Sequence, residues 1–315
     1  MSEGSTKVAL AALAGNLLIA VSKLVAALLT GSAAMFAETL HSFADCGNQI
    51  LLLVGLRQSG RPADEQHPFG HGKEQYFWAF LVAIVIFALG AVFSLVEGVR
   101  KVIAPHPMEN PVVTFVVLGL SLFFEGGSLR VALKEFNAWR GGLPFFEALA
   151  QAKDAVTLTV ILEDLAALAG LVVALVSVTL AEALHAPVFD GLGSVFIGLL
   201  LAAVAYFLAS VQRGFLVGRG LTARETAKLK EAVLACPNVA AITNLATMYL
   251  GANLLLCADL TFLPGATAEE VIRTIDEVEA RLKGLVPGVS HIYLEADGLA
   301  RRAALTRPTP EGPVG

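Results

Sequence analysis

The sequence predicts a membrane all-α bundle of six transmembrane helices followed by a C-terminal cytoplasmic α+β domain. Three observations carry that prediction. Of 315 residues, 56% are apolar and 16% charged, against about 25% charged in a typical soluble domain, and the mean hydropathy is +0.71. The charges are unevenly spread: residues 1–218 hold 28 of the 49 Asp, Glu, Lys and Arg residues, and residues 219–315 hold the other 21. The first part carries apolar stretches long enough to cross a bilayer. The second changes to short alternating and amphipathic patterns.

A helix needs roughly 20 mostly apolar residues to cross the ~30 Å hydrocarbon layer. Stretches at 8–29, 34–56, 76–99, 111–133, 155–181 and 189–212 meet that length. The first follows Lys7, as a cleaved signal peptide would, but it is longer than the roughly 7–15-residue apolar core of such peptides. Six crossings put both termini on one side. Lys7, Arg57, Arg61, Lys73, Arg130, Lys134, Arg140, Lys153 and Arg213 fall on that side, against Arg100 and Lys101 on the other. The positive-inside rule therefore places both termini in the cytoplasm, as expected of a multi-pass protein of a bacterial inner membrane.

The net charge of −5 comes from 12 basic and 16 acidic residues before position 219, and 10 and 11 after it. That leaves no basic surface for nucleic acid. Cys46, Cys236 and Cys257 show no CxxC spacing, so neither a disulfide framework nor a thiolate metal cluster is indicated.

Ionisable groups inside the spans carry the functional signal, because each is costly in lipid unless it faces a partner, water or an ion. The second span contains Glu38, His41, Asp45, Asn48 and Gln49. His41 and Asp45, four apart, share one helix face and can grip one cation; Asn48 and Gln49 extend that stripe. The fourth span holds Glu125, and the fifth holds Glu163 and Asp164 within Ile161-Leu162-Glu163-Asp164-Leu165. Adjacent helical residues point about 100° apart, so an unbroken helix does not aim both acids at one metal. A buried ion pair, for example between Lys23 of the first span and one of these carboxylates, is the alternative reading. The acids and the His outnumber that one basic partner, and the excess negative charge calls for a cation.

Between the second and third spans the chain reads Arg61-Pro62-Ala63-Asp64-Glu65-Gln66-His67-Pro68-Phe69-Gly70-His71-Gly72-Lys73. Asp64, His67 and His71 supply the N and O donors that zinc and similar metals take, and Gly70 and Gly72 let the backbone turn around His71. A solvated loop with incidental histidines is the alternative on chemistry alone.

The string PADxxHPFGHGK, following a span with HxxxD, resembles the signature of the cation diffusion facilitator family, proton-coupled exporters of divalent transition metals. The resemblance runs over essentially the whole chain: the spans, the loop, the acidic fifth span, Asp190 at the entry to the sixth, and a tail domain. It implies that His41, Asp45 and Asp164 are ligands of a transport site. The family's usual fourth ligand lies four residues before that Asp, where this chain has Val160. Water, Glu163 or Glu38 is then left to complete the set, with Asn48 as a further accessory. It also implies a second, loop-borne metal site at Asp64, His67 and His71. The Leu-Glu-Asp string resembles the branch that includes the animal zinc transporter nine. The implied activity is non-enzymatic antiport, with zinc as first cargo, manganese, cobalt, iron and nickel as alternatives, protons as counter-substrate, and no organic cofactor. In some members a lysine matching Lys73 pairs with an Asp at the end of the sixth span, where Gly218 stands here.

In the tail, 222–235 reads as an amphipathic helix, and 240–249 and 253–262 as strands joined by a turn at Leu250-Gly251-Ala252. Thr267-Ala268-Glu269-Glu270 is a capping box opening a helix whose apolar Val271, Ile275, Val278 and Leu282 run to Gly284, and a last strand covers 288–296. The order αββαβ makes an open-faced sandwich of ferredoxin-like or metallochaperone-like type. In the family such a tail dimerises and often binds regulatory metal. At the family's ligand positions this chain has Thr243, Cys257, Tyr293 and Glu295, with His291 nearby, so a homodimerising tail without a strong binuclear site is expected. The expected organisation is a transport domain over 1–213, a cytoplasmic dimerisation domain over 214–298 and a proline-rich disordered end over 299–315. An intramembrane metalloenzyme lacks the HExxH that would support it. A membrane-anchored metal sensor or scaffold without transport would not need ligands inside the spans.

Overall fold

A computed structural model describes residues 3–85, 90–108, 110–139, 155–286 and 288–296, together with 142, 144, 145 and 148. The proline-rich 299–315 and the loop residues Arg140 and Lys153 lie outside the described residues. The chain divides into two units, one formed by Met1–Pro62 with Glu74–Leu216, the other by Ala63–Lys73 with Val217–Gly315.

The first unit is all helix. Its elements are α1 (Glu3–Thr30), α2 (Ala33–Ser59), α3 (Glu74–Val85), α4 (Val92–Ile103), α5 (Pro111–Trp139), α6 (Ala155–Ala183) and α7 (Val188–Val217). Among the described residues, Ile161–Ala183 and Val188–Val217 are each long and apolar enough to cross a membrane. Helix α2 is the hub, packing on α1, α3, α4 and α6. Ser32 starts it, its hydroxyl accepting the Met35 backbone N–H at 3.1 Å. That satisfies one of the four N–H groups a helix start leaves open. Large apolar side chains such as Leu18, Phe123, Phe196 and Tyr206 point outward, while small residues, Ala20, Ala26, Ala37 and Ala44 among them, fill the interior. That inside-out distribution suits helices packed closely with lipid as solvent.

Several polar groups inside this unit tie helices together. At the ends of α2, α4 and α7, Lys101 Nζ lies 2.8 Å from Asp190 and donates to the Gly31 carbonyl at 2.7 Å, and Ser32 Oγ donates to Asp190 at 2.8 Å. Lys101 and Asp190 are both 1% exposed. Close helix approach continues along α4 and α7, where a Cβ on Gly98 would come within 2.7 Å of the Val195 backbone nitrogen.

The second unit follows the αββαβ order. Helix α8 (Ala223–Leu234) precedes β1 (Val239–Leu250) and β2 (Asn253–Phe262), then α9 (Ala268–Leu285) and β3 (Val289–Ala296). The sheet order is β1-β2-β3, with β1 antiparallel and β3 parallel to β2. Gly251, at φ +73°, makes the hairpin turn in a region open to glycine without steric cost. The parallel β2–β3 pair needs a crossover, and α9 provides it. Both helices begin with a capping box, Thr222 with Glu225 and Thr267 with Glu270. Leu256, Ala258 and Leu260 face Leu229, Val233, Val278 and Leu282 in the core. Ile292 and Leu294 pair in register with Leu256 and Ala258 on that side, which leaves His291 and Tyr293 on the opposite face of the sheet.

Candidate metal centres

Asp64 organises the loop of the second unit. Its Oδ1 accepts the backbone N–H groups of Gln66 at 3.0 Å and His67 at 2.7 Å and lies 3.1 Å from His67 Nδ1, while Oδ2 lies 2.9 Å from His71 Nε2. Gly70, at φ +80°, donates its N–H to the His67 carbonyl at 2.9 Å. That left-handed turn swings His71 back over His67, and the two rings sit 4.1 Å apart. One ligand atom from each of Asp64, His67 and His71 lies within 4.8 Å of the others, and this is the one such His/Cys/Asp/Glu group among the described residues. Hydrogen bonds from His71 and from the His67 backbone hold the Asp64 carboxyl well below the usual carboxylate range, so it presents an anionic oxygen. Two nitrogens and a carboxylate form a chemically ordinary zinc-type set.

The loop is seated on the tail sheet. Phe69 meets His291 edge-on at 5.2 Å and Tyr293 at 6.4 Å, on the sheet face away from the helices. The Gly72 backbone lies so close to Leu250 that a Cβ would overlap the Leu250 carbonyl oxygen. Lys73 Nζ reaches Met248 Sδ at 3.4 Å, beside Gly218. Sequence reasoning missed Phe69 and gave His291 little weight. The available signal was an aromatic residue alone in a polar, glycine-flanked loop. Of the tail positions matching the family's regulatory ligands, Thr243 donates to the Asp259 carbonyl at 3.1 Å, and Cys257 pairs in register with Tyr293. All three cysteines are free thiols.

In the first unit the intramembrane acids sort into two groups. Lys23, fully buried, lies 2.8 Å from Glu125 and 3.4 Å from Glu38, and donates to Ser42 at 2.8 Å. Glu38, one of the stand-ins for the missing fourth ligand, is thus engaged by a cation of the protein itself, as the ion-pair alternative allowed. Gly170 of α6 gives that carboxylate its space, since a Cβ there would overlap Glu38 Oε1. The second group straddles α2 and α6. Asn48 of α2 is fully buried and donates Nδ2 to Glu163 of α6 at 2.9 Å. Asp45 lies within electrostatic reach of Glu163 and Asp164, and also of Glu125 and Lys23, so it links the two groups. His41 sits on α2 one turn before Asp45; its side chain, like that of Val160, lies outside the described residues. Asn48 Oδ1 and Gln49 Oε1 are buried and, among the described residues, accept no hydrogen bond. Buried oxygens without donors, gathered beside carboxylates, suit a dehydrated cation.

The cation efflux transmembrane domain model matches residues 9–214. The chain is 36% identical over 251 residues to the proton-coupled zinc antiporter SLC30A9, mitochondrial, of Xenopus laevis, covering 79% of this chain and 45% of that protein. It is 35% identical over 202 residues to metal tolerance protein C4 of Arabidopsis thaliana, covering 64% of this chain and 44% of that protein. A manganese efflux system protein of Bacillus subtilis, MneP, is 31% identical over 135 residues, 43% of this chain and 45% of that protein. The chain thus spans under half the length of these relatives.

Proposed function

The chain belongs to the cation efflux family, in the branch that holds the SLC30A9 antiporters, and we propose that it exports a divalent transition metal from the cytoplasm in exchange for protons. The observation that supports this reading is the joint between α2 and α6, where Asn48 donates to Glu163 and Asp45 lies within electrostatic reach of Glu163 and Asp164. His41, Asp45 and Asp164 are the transport ligands. The relatives named for zinc and manganese support a divalent transition metal as cargo, with zinc first and cobalt, iron and nickel as further candidates.

Ligands must be deprotonated to coordinate, so metal and protons compete for one site. Metal enters from the cytoplasm as protons leave; protons arriving from the other side displace it. Binding a dication to two carboxylates and a neutral His neutralises the site, so the loaded carrier changes conformation at lower electrostatic cost. Six crossings with both termini cytoplasmic, and a homodimer joined through the tail, complete the reading. Asp64, His67 and His71 form a second site for the same class of metal. The SLC30A9 relatives are named mitochondrial and lend no support to a bacterial inner membrane, so no organelle or cell envelope is assigned.

The test is proton flux in proteoliposomes holding a pH-sensitive dye, driven by zinc, manganese, cobalt, nickel or iron gradients. Metal-dependent proton movement in the wild type is expected. Tight metal binding with no flux would overturn transport and leave a sensor.

A further inference from the structure

Resting on the transport reading, we infer that Asn48 Oδ1 is the fourth ligand of the transported cation and that Glu163 is its positioning residue. Asn48 lies three residues after Asp45 and seven after His41 on α2, which returns it to the same helix face two turns on. Its amide has two ends of opposite character, an NH2 that donates and a carbonyl that accepts. The Glu163 carboxylate takes the NH2 end at 2.9 Å, and that fixes the rotamer. Oδ1 is therefore turned away from Glu163, and among the described residues it is left buried without a hydrogen bond. A carbonyl oxygen held dry is costly with no donor or cation, and it is a ready ligand with one.

Glu163 is the weaker ligand on geometry. One of its oxygens is committed to Asn48, and it points about 100° from Asp164 on the same helix. Acting through the amide, it needs no break in α6. The amide also adds a donor without adding charge, leaving two carboxylates to balance a dication. With one nitrogen and three oxygens the set is harder than one with two histidines, which moves preference toward manganese and cobalt relative to zinc.

The experiment compares wild type, Asn48→Ala, Asn48→His, Glu163→Gln, Glu163→Ala and the double Asn48→Ala/Glu163→Ala variant in proteoliposomes, each first shown monodisperse by gel filtration. Asn48→Ala is expected to raise the KM for manganese by about tenfold or more and that for zinc by less. Asn48→His, which supplies a nitrogen, restores flux and shifts the order toward zinc. Glu163→Gln stays near wild type because its amide oxygen can still accept from Asn48. Glu163→Ala falls toward Asn48→Ala, and the double variant is no worse than Asn48→Ala alone. Wild-type KM and metal order in Asn48→Ala would overturn the ligand, and a further loss from Glu163→Ala in the Asn48→Ala background would make Glu163 itself the ligand. Should the wild type give no flux, the transport reading fails instead. Equilibrium cobalt binding to detergent-solubilised His67→Ala/His71→Ala protein, with and without Asn48→Ala, then still decides the ligand.

Discussion

In the 63–73 loop three ligand side chains come from eight consecutive residues and are set by hydrogen bonds among themselves, whereas the intramembrane cluster draws on α2 and α6, with Asn48 and Glu163 separated by 115 positions. Two of the three loop donors are exposed: Asp64 and His67 side chains are 44% and 51% accessible, and His71 is 5%. In the α2–α6 cluster Asn48 and Glu163 are buried, at 0% and 5%, and Asp45 and Asp164 are half-buried. A locally built, wet site exists as soon as the turn forms, and water shares the solvation of its charges. A buried site exists only once the helices have packed, and each polar atom in it must be answered by a partner or a passenger. The first arrangement suits holding a metal; the second suits letting one go on command.

The largest expected contrast is in turnover. Asp45→Ala or Asp164→Ala should lower metal-driven proton flux in proteoliposomes by about two orders of magnitude or more, while His67→Ala/His71→Ala lowers it by less than about tenfold. Equal losses from both sets would erase the distinction between the sites. Equilibrium dialysis against zinc sharpens it next: His71→Ala should remove one tightly bound metal per chain and leave flux-coupled binding in place. A smaller effect is expected where the loop is seated. Gly72→Ala forces a Cβ into the Leu250 carbonyl and Phe69→Ala removes the contact with His291, so faster amide exchange should appear in 63–73 while exchange in α2 and α6 is unchanged.

The smallest effect is in the tail. Thr267→Ala should cost about 1 kcal/mol at the start of α9, read as faster amide exchange in residues 268–275. Bonds from the Thr267 backbone and hydroxyl hold the Glu270 carboxyl below its ordinary range. A carboxyl lowered on folding adds stability above its unfolded pKa of about 4.3. That contribution is lost as pH falls from there through the folded value, so the gap between variant and wild type should narrow in acid by the part owed to the bond from the Thr267 hydroxyl to the Glu270 carboxylate, while the cap from the Glu270 N–H to that hydroxyl remains.

Legibility in the sequence follows the same contrast. Asp64, His67 and His71 lie close enough in sequence for one turn to bring them together, and the resemblance of the whole string, rather than spacing alone, separates them from incidental loop histidines. The tail could be read element by element for a similar reason: alternation in Asn253–Phe262 and the capping box at Thr267 are local signals. The second box, Thr222 with Glu225, is equally visible in sequence as T-x-x-E. What could not be read was partnership across the bundle. Nothing local says that Lys23 engages both Glu38 and Glu125. Nor does sequence show that Lys101, counted among loop charges for the positive-inside argument, is buried against Asp190. Helix faces follow from periodicity; which face meets which does not.

The Lys101–Asp190–Ser32 tie also sets a lever. It fastens the start of α2, the end of α4 and the start of α7 at one point, so relative movement of these helices is smallest there and grows along their length. From Asp190 to Val217, α7 runs about 40 Å at 1.5 Å per residue. A tilt of about 10° around the tie therefore carries the far end of α7 by about 7 Å, roughly the diameter of a hydrated passage, while the pinned end hardly moves.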